Sequence, residues 1–159
     1  MSSKVSRVDI SAFSDDDAAA VRRLFADYAA SLQVDLGFQA FDDEVARLPG
    51  RYAPPRGAML VARIDGEAIG CVGVRALDAE TGELKRLFVL PPHRGGGTGL
   101  RLLEGAVSEA RRLGYRRLRL DTIPGMERAQ AMYERFGFCE IDAYTENPIA
   151  GTRYLELDL

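Results

Sequence analysis

The sequence contains no tryptophan, a single histidine (His93) and two cysteines, Cys71 and Cys139, in 159 residues. The two cysteines are far apart and form no C-x-x-C pair, so the material for a structural zinc site or a disulfide framework is missing. Long hydrophobic runs are also missing. No stretch reaches the ~18 apolar residues of a membrane span, and Met1-Ser2-Ser3-Lys4 leads into no apolar signal core. Both observations argue against membrane insertion and secretion, and the cytoplasm is the expected compartment. Repeats, low-complexity tracts and linkers are absent too, so residues 1–159 read as one domain. A large charge of one sign is lacking as well: 21 basic against 24 acidic side chains give −3. With an isoelectric point near 5.3, a general nucleic-acid surface is not expected.

That small net charge is unevenly spread. Residues 1–84 carry 9 basic and 14 acidic side chains, residues 85–119 carry 9 and 2, and residues 120–159 carry 3 and 8. A basic block inside an acidic chain fits a local anionic ligand, and equally a solvated arginine-rich face.

The hydrophobic pattern predicts a strand at Val5–Ile10, then Ser14 as an N-cap followed by Asp15, Asp16 and Asp17. Val21, Leu24, Phe25, Tyr28, Ala29 and Leu32 fall at helical spacing, so a helix is expected to end near Leu32 or Val34. Phe41–Leu48 reads as a second, short helix. Ala58–Ile64 and Ala68–Leu77 are β-rich runs joined by Asp65-Gly66, a hairpin signal, and Glu83–Val89 is a third strand. A helix beginning near Leu100 and closed by Gly114, a strand at Arg117–Thr122, a helix through Ala129, Met132, Tyr133 and Phe136, and strands at Phe138–Tyr144 and Thr152–Leu159 complete the chain. The order describes a mixed α/β sheet.

Between the third strand and the following helix lies Pro91-Pro92-His93-Arg94-Gly95-Gly96-Gly97-Thr98-Gly99-Leu100. Glycines here let backbone N–H groups converge without Cβ obstruction, and the helix start adds partial positive charge, the ingredients of a phosphate nest. The dinucleotide fingerprint G-x-G-x-x-G fails, since its last glycine falls on Leu100 or Leu102, and the nucleoside-triphosphate loop fails for want of Lys and Ser/Thr at the right spacing. R-x-x-G-x-G does fit, as Arg94, Gly97 and Gly99. A second segment, Ala129-x-x-Met132-Tyr133-Glu134-x-x-Gly137-Phe138, follows about 35 residues later.

Together with Glu83-Leu84-Lys85-Arg86-Leu87-Phe88-Val89, these motifs resemble the GNAT acyltransferase superfamily over roughly residues 58–159. The resemblance implies an acyl-CoA N-acyltransferase fold, with a central, mostly antiparallel sheet of splayed strands flanked by helices. It also implies acetyl-CoA as donor, no metal, and an amine of a small molecule or peptide as acceptor, attacking directly in a ternary complex. Cofactor contacts would come from Phe88, Val89 and Arg94 and from the amides of Gly95, Gly96, Gly97, Thr98, Gly99 and Leu100. Tyr133 falls on the family tyrosine that protonates the CoA thiolate, although it also lies on an apolar helix stripe. Glu83 occupies the place of a glutamate base, or is a surface glutamate paired with Lys85 or Arg86. Met126 stands where many members carry a cofactor-binding asparagine. The departure keeps a non-catalytic acyl-CoA sensor as the alternative.

Other positions are assigned on location alone. His93 reads as a loop residue and the two cysteines as reduced core thiols. Tyr28, Phe38, Phe41, Glu44 and the loop from Tyr144 to Pro148 are acceptor candidates, and Asp35, Asp42, Asp43 and Glu44 are either acidic groups that attract a cationic amine or simple solvated helix charges. A homodimer is left open.

Overall fold

The structure is a computed structural model and describes residues 7–32 and 40–159. Asp35 and Phe38, and the first residues of the strand expected at Val5, lie outside these. Seven strands form one sheet in the order β1-β2-β3-β4-β5-β7-β6. They are β1 (Val8–Ala12), β2 (Ala58–Ile64), β3 (Glu67–Ala76), β4 (Thr81–Val89), β5 (Arg117–Thr122), β6 (Cys139–Ile141) and β7 (Arg153–Asp158). Only β4 and β5 run parallel; every other pairing is antiparallel. Among the described residues, four α-helices flank the sheet: α1 (Ala18–Ser31), α2 (Phe41–Ala46), α3 (Thr98–Arg112) and α4 (Glu127–Phe136).

The central strands are hydrophobic on both sides because both sides are covered. Along β2, Leu60 and Ala62 pack with α3 residues Leu102, Leu103, Ala106 and Val107. Met59 and Val61, one step out of phase, pack with Val21, Leu24 and Phe25 of α1 and Phe41 of α2. The period-2 alternation of a strand thus distributes one run of sequence between two cores. Asp65-Gly66 closes the β2–β3 hairpin, with Ile64 opposite Glu67. The Ser14 amide donates to the Asp17 carboxylate at 2.8 Å, which holds the acidic turn that leads into α1. β6 is shorter than the strand expected from Phe138 to Tyr144: it ends at Ile141, and Tyr144 lies beyond it, where its hydroxyl makes a hydrogen bond described below.

Cys71 is fully buried in β3, and burial pushes its thiol up to about 12, whereas Cys139 is exposed. A thiol reagent at pH 8 is therefore expected to modify one cysteine in the native protein and both after denaturation. Mass mapping that found Cys71 labelled in the native state would contradict this packing.

Candidate active site

β4 and β5 pair over only three positions, Thr81 with Arg117, Gly82 with Leu118 and Glu83 with Arg119. Beyond Glu83 the two strands separate. β4 also carries a bulge: Cys71 faces Phe88 and Gly73 faces Lys85, so Arg86 and Leu87 stand against the single residue Val72, with Arg86 at φ +60°. An extra residue reverses which face each later side chain takes. Leu84 before the bulge and Leu87 and Val89 after it all join the α3 core, while Phe88 joins the α1 core. Lys85 and Arg86 are left beside the gap.

The open end of the gap continues into a cleft of about 1040 Å³, lined among others by Leu87, Phe88, Val89, Arg94, Gly95, Gly97, Thr98, Gly99, Leu100 and α4 residues. The glycine turn forms one rim. Gly95 and Gly97 hold φ +89° and +85°, a region costly for residues with a Cβ, and Gly97 caps α3. The Arg94 amide donates to the Pro91 carbonyl and the Arg101 amide to the Gly97 carbonyl. Between them, the amides of residues 95–100 make no hydrogen bond within the described residues. Such a row at the N-terminus of a 15-residue helix presents donors and a positive dipole end to the cleft. Arg94 itself braces the turn: its Nε donates to the Val89 carbonyl at 2.8 Å and its guanidinium lies over the Phe88 ring.

Where the strands begin to part lies a much smaller cavity, about 50 Å³. Tyr28, Leu87 and Met126 line both spaces, so the two adjoin. The small cavity is also lined by Lys85, Arg86, Asp121, Asn147 and Tyr133. Tyr133 is 6% exposed and packs edge-on against Phe138. Its hydroxyl has no hydrogen-bond partner among the described residues, and burial raises its pKa well above that of a free phenol. It therefore holds its proton at any ordinary pH.

Behind this cavity, cations and carboxylates alternate. Glu44 of α2 accepts from the Tyr52 hydroxyl (2.9 Å), from Arg75 Nη1 (3.2 Å) and from Arg86 Nε (2.7 Å). Glu83 accepts from Arg75 Nε (2.9 Å) and from the Tyr144 hydroxyl (2.7 Å), with Lys85 Nζ 3.8 Å away. Lys85 Nζ donates to Asp121 Oδ1 at 3.1 Å, and Asn147 Nδ2 donates to Asp121 Oδ2 at 3.2 Å. Burial without partners would be prohibitive for these charges, and the alternation supplies partners. Burial and the neighbouring Glu83 raise the Tyr144 pKa, which keeps that hydroxyl a donor.

The profile of the Acetyltransferase (GNAT) family matches residues 19–138, three quarters of the chain. The chain belongs to the GNAT acetyltransferase family. An uncharacterized N-acetyltransferase of Schizosaccharomyces pombe is 36% identical over 159 residues, covering 98% of both chains. A crystal structure of an acyl-CoA N-acyltransferase from Klebsiella pneumoniae superposes with a TM-score of 0.77 at 28% identity, covering 96% of this chain and 97% of that one. A Salmonella typhimurium acetyltransferase structure with its cofactor acetyl-CoA gives 0.72 at 20% identity over 95% of this chain and 93% of that one, which shows a shared fold.

In this acetyltransferase the residues expected at the cofactor site come together, apart from Gly96, which is exposed and does not line the cleft. Two expectations need correction. Of the nine basic residues between 85 and 119, Arg94 alone lines the cleft; its other arginines, Arg128 and Arg135, come from α4, in the acidic C-terminal part. Lys85 and Arg86 line the small cavity, and others of the block are spent elsewhere: Arg101 on the Val8 carbonyl, Arg112 on Glu109, Arg116 on Glu80, Arg117 on Thr81 and Arg119 on Glu156. Charge counted along the chain does not tell which arginines reach the cleft, because a helix and a strand scatter successive side chains around their axes. Second, Glu44 is no free anion for an acceptor amine, since Tyr52, Arg75 and Arg86 already occupy its carboxylate.

Glu83 is 2% exposed, far from a surface glutamate, and does not line the small cavity. The sequence suggests Lys85 and Arg86 only as surface partners of Glu83 and assigns Asp121 no role in the site. Asp121 alternates with arginines and leucines on β5, a pattern that signals a strand and nothing more. His93 lies, half-buried, in the Pro91–His93 turn. Among the described residues no group of three His, Cys, Asp or Glu is placed to hold a metal ion, and no helix is long and apolar enough to cross a membrane.

Proposed function

We propose that this acyltransferase moves an acetyl group from acetyl-CoA to the primary amine of a small molecule or peptide by direct attack in a ternary complex, with residues 1–159 acting as one domain. The reading rests on one juxtaposition: an unpartnered, protonated Tyr133 hydroxyl in a small polar cavity that adjoins the long cleft rimmed by the turn amides. In this reading the amides of Gly95 and of residues 97–100 hold the cofactor's pyrophosphate, and Phe88 and Val89 meet its pantetheine arm along the parted strand. The thioester then lies at the junction of the two spaces, and Tyr133 gives its proton to the departing thiolate. Glu83 serves at one remove, as the buried anion that positions Lys85. The relatives named N-acetyltransferases and the Salmonella structure with acetyl-CoA support the assignment of donor and reaction.

The test is to incubate the full chain with acetyl-CoA and a panel of alkylamines, amino acids and peptide N-termini while recording free thiol. Acceptor-dependent thiol release, with the acetylated amine found by mass spectrometry, is the expected result. Strong thermal stabilisation by CoA without thiol release from any acceptor would overturn catalysis in favour of a sensor that binds acyl-CoA.

A further inference from the structure

We infer that Asp121 is the carboxylate that binds the acceptor's ammonium group and takes its proton. The inference deepens the acetyl-transfer reading above and rests on it for the reaction, though not for the binding site itself. Among the residues lining the small cavity, Asp121 is the one carboxylate. It shares that cavity with Tyr133, so a proton acceptor and a proton donor face the same space. Glu83 and Glu44 do not line it, and both are engaged by arginine and tyrosine donors. Each Asp121 oxygen receives one donor, Lys85 on Oδ1 and Asn147 on Oδ2. An ionised carboxylate has about four lone-pair sites, so capacity for a further N–H remains.

The supports come from both sides of the parted strands: Lys85 from β4, and Asn147 from the segment between β6 and β7. Two fixed donors leave the side chain little rotamer freedom, which pre-organises it for a charged ligand. The chain of charges points the same way. Arg86, Glu44, Arg75, Glu83, Lys85 and Asp121 alternate in sign, and the series meets the cavity wall at Arg86, Lys85 and Asp121, of which Asp121 is the one anion. An ammonium entering at Asp121 continues the alternation at that end, while Lys85 and Arg86, which also line the cavity, are already paired with carboxylates. A volume of about 50 Å³ exceeds the ~10–15 Å³ that one water needs, which leaves room for a primary ammonium and its first carbon.

The step balances. The acceptor arrives as R–NH₃⁺ and gives one proton to Asp121. The freed lone pair forms the C–N bond at the thioester carbon, the C–S bond breaks as the carbonyl re-forms, and sulfur takes the Tyr133 proton. The nitrogen sheds its second proton, which restores Tyr133, while Asp121 passes its own to solvent. The products are the amide, CoA thiol and one proton.

The test uses the full chain saturated with CoA or acetyl-CoA and n-propylamine as probe. Propylammonium is expected to shift the NMR signals of the Asp121 carboxylate and the Asn147 side-chain amide in the CoA-loaded protein. Asp121→Asn is expected to raise KM for propylamine roughly 10- to 100-fold while CoA affinity holds within about twofold. Since Asp121→Asn weakens the pairing of buried Lys85, the double variant Asp121→Asn with Lys85→Met removes both charges and keeps the site neutral. If Asp121 binds the amine, the double variant folds and amine binding stays lost. Recovery of wild-type KM in the double variant would overturn the inference, because Asp121 would then serve only to neutralise Lys85. Unchanged KM in Asp121→Asn, with acetyl transfer intact, would also overturn it and leave the acetyl-transfer reading standing. Asp121-dependent propylammonium binding with no thiol release would do the reverse, upholding the ammonium site and overturning the reaction.

Discussion

Tyr133→Phe is expected to lower kcat by about 10²- to 10⁴-fold, the usual worth of a positioned acid, while leaving CoA affinity within about twofold. The phenol is buried and has no hydrogen-bond partner among the described residues. Removing its oxygen strands no donor or acceptor, and the ring keeps its edge-on contact with Phe138. Thermal stability should therefore stay level or rise slightly. That combination separates a proton donor from a core tyrosine, for which loss of the hydroxyl would change neither stability nor rate. The pH behaviour follows with a definite sign. The folded-state pKa of Tyr133 lies above its unfolded value, so its stabilising contribution is complete below about pH 10 and drains away as pH climbs further. Urea midpoints measured at pH 8 and above pH 10 should fall less for Tyr133→Phe than for the wild type. Unchanged turnover in Tyr133→Phe would remove the tyrosine from the mechanism.

Gly97→Val is expected to weaken CoA binding roughly 100-fold, close to 2.7 kcal/mol. At φ +85° a β-branched residue is strained by about 1–3 kcal/mol. The space around the missing Cβ is open, with nothing within 4 Å. The chain can thus accept the valine by relaxing φ, which re-aims the amides at the start of α3. Gly96 is the internal control, because it too has open space around it but neither a positive φ nor a place in the cleft wall. Gly96→Ala should bind CoA within about twofold of wild type, which calorimetry with CoA would resolve. Equal affinity of folded Gly97→Val would argue that the pyrophosphate is held elsewhere.

Local signals carried most of the fold. The hairpin at Asp65-Gly66, the strand Arg117–Thr122 and the two long helices follow from turn chemistry and periodicity, and the structure places them within a few residues of expectation. The glycine turn and Tyr133 were legible because each lies in a short motif with fixed spacing. The charge chain was hidden for a geometric reason. Arg75 meets Glu83 only through the β3–β4 register, Lys85 meets Asp121 only across parted strands, and Glu44 reaches Arg86 from a separate helix. The bulge at Arg86 adds a change of phase that a strict two-residue period cannot express, and it sets Lys85 and Arg86 beside the same opening. Partnerships spanning 31 to 42 positions leave no local trace.

The parting of β4 from β5 after three paired positions has a mechanical consequence. A sheet normally has two free margins; this one has an internal seam as well, where main-chain donors and acceptors of both strands face a space instead of each other. Water can satisfy them, but water transmits no stiffness. The half of the sheet carrying β1–β4 and the half carrying β5–β7 are thus joined in the plane of the sheet by a short hinge of ladder, by the salt link from Lys85 to Asp121 and by the Tyr144 hydroxyl on Glu83, and beneath it by the core that both share with α3. A long, amide-bearing guest laid in the opening would act as a temporary eighth strand, stitching the halves together and turning donor occupancy into rigidity of the whole sheet.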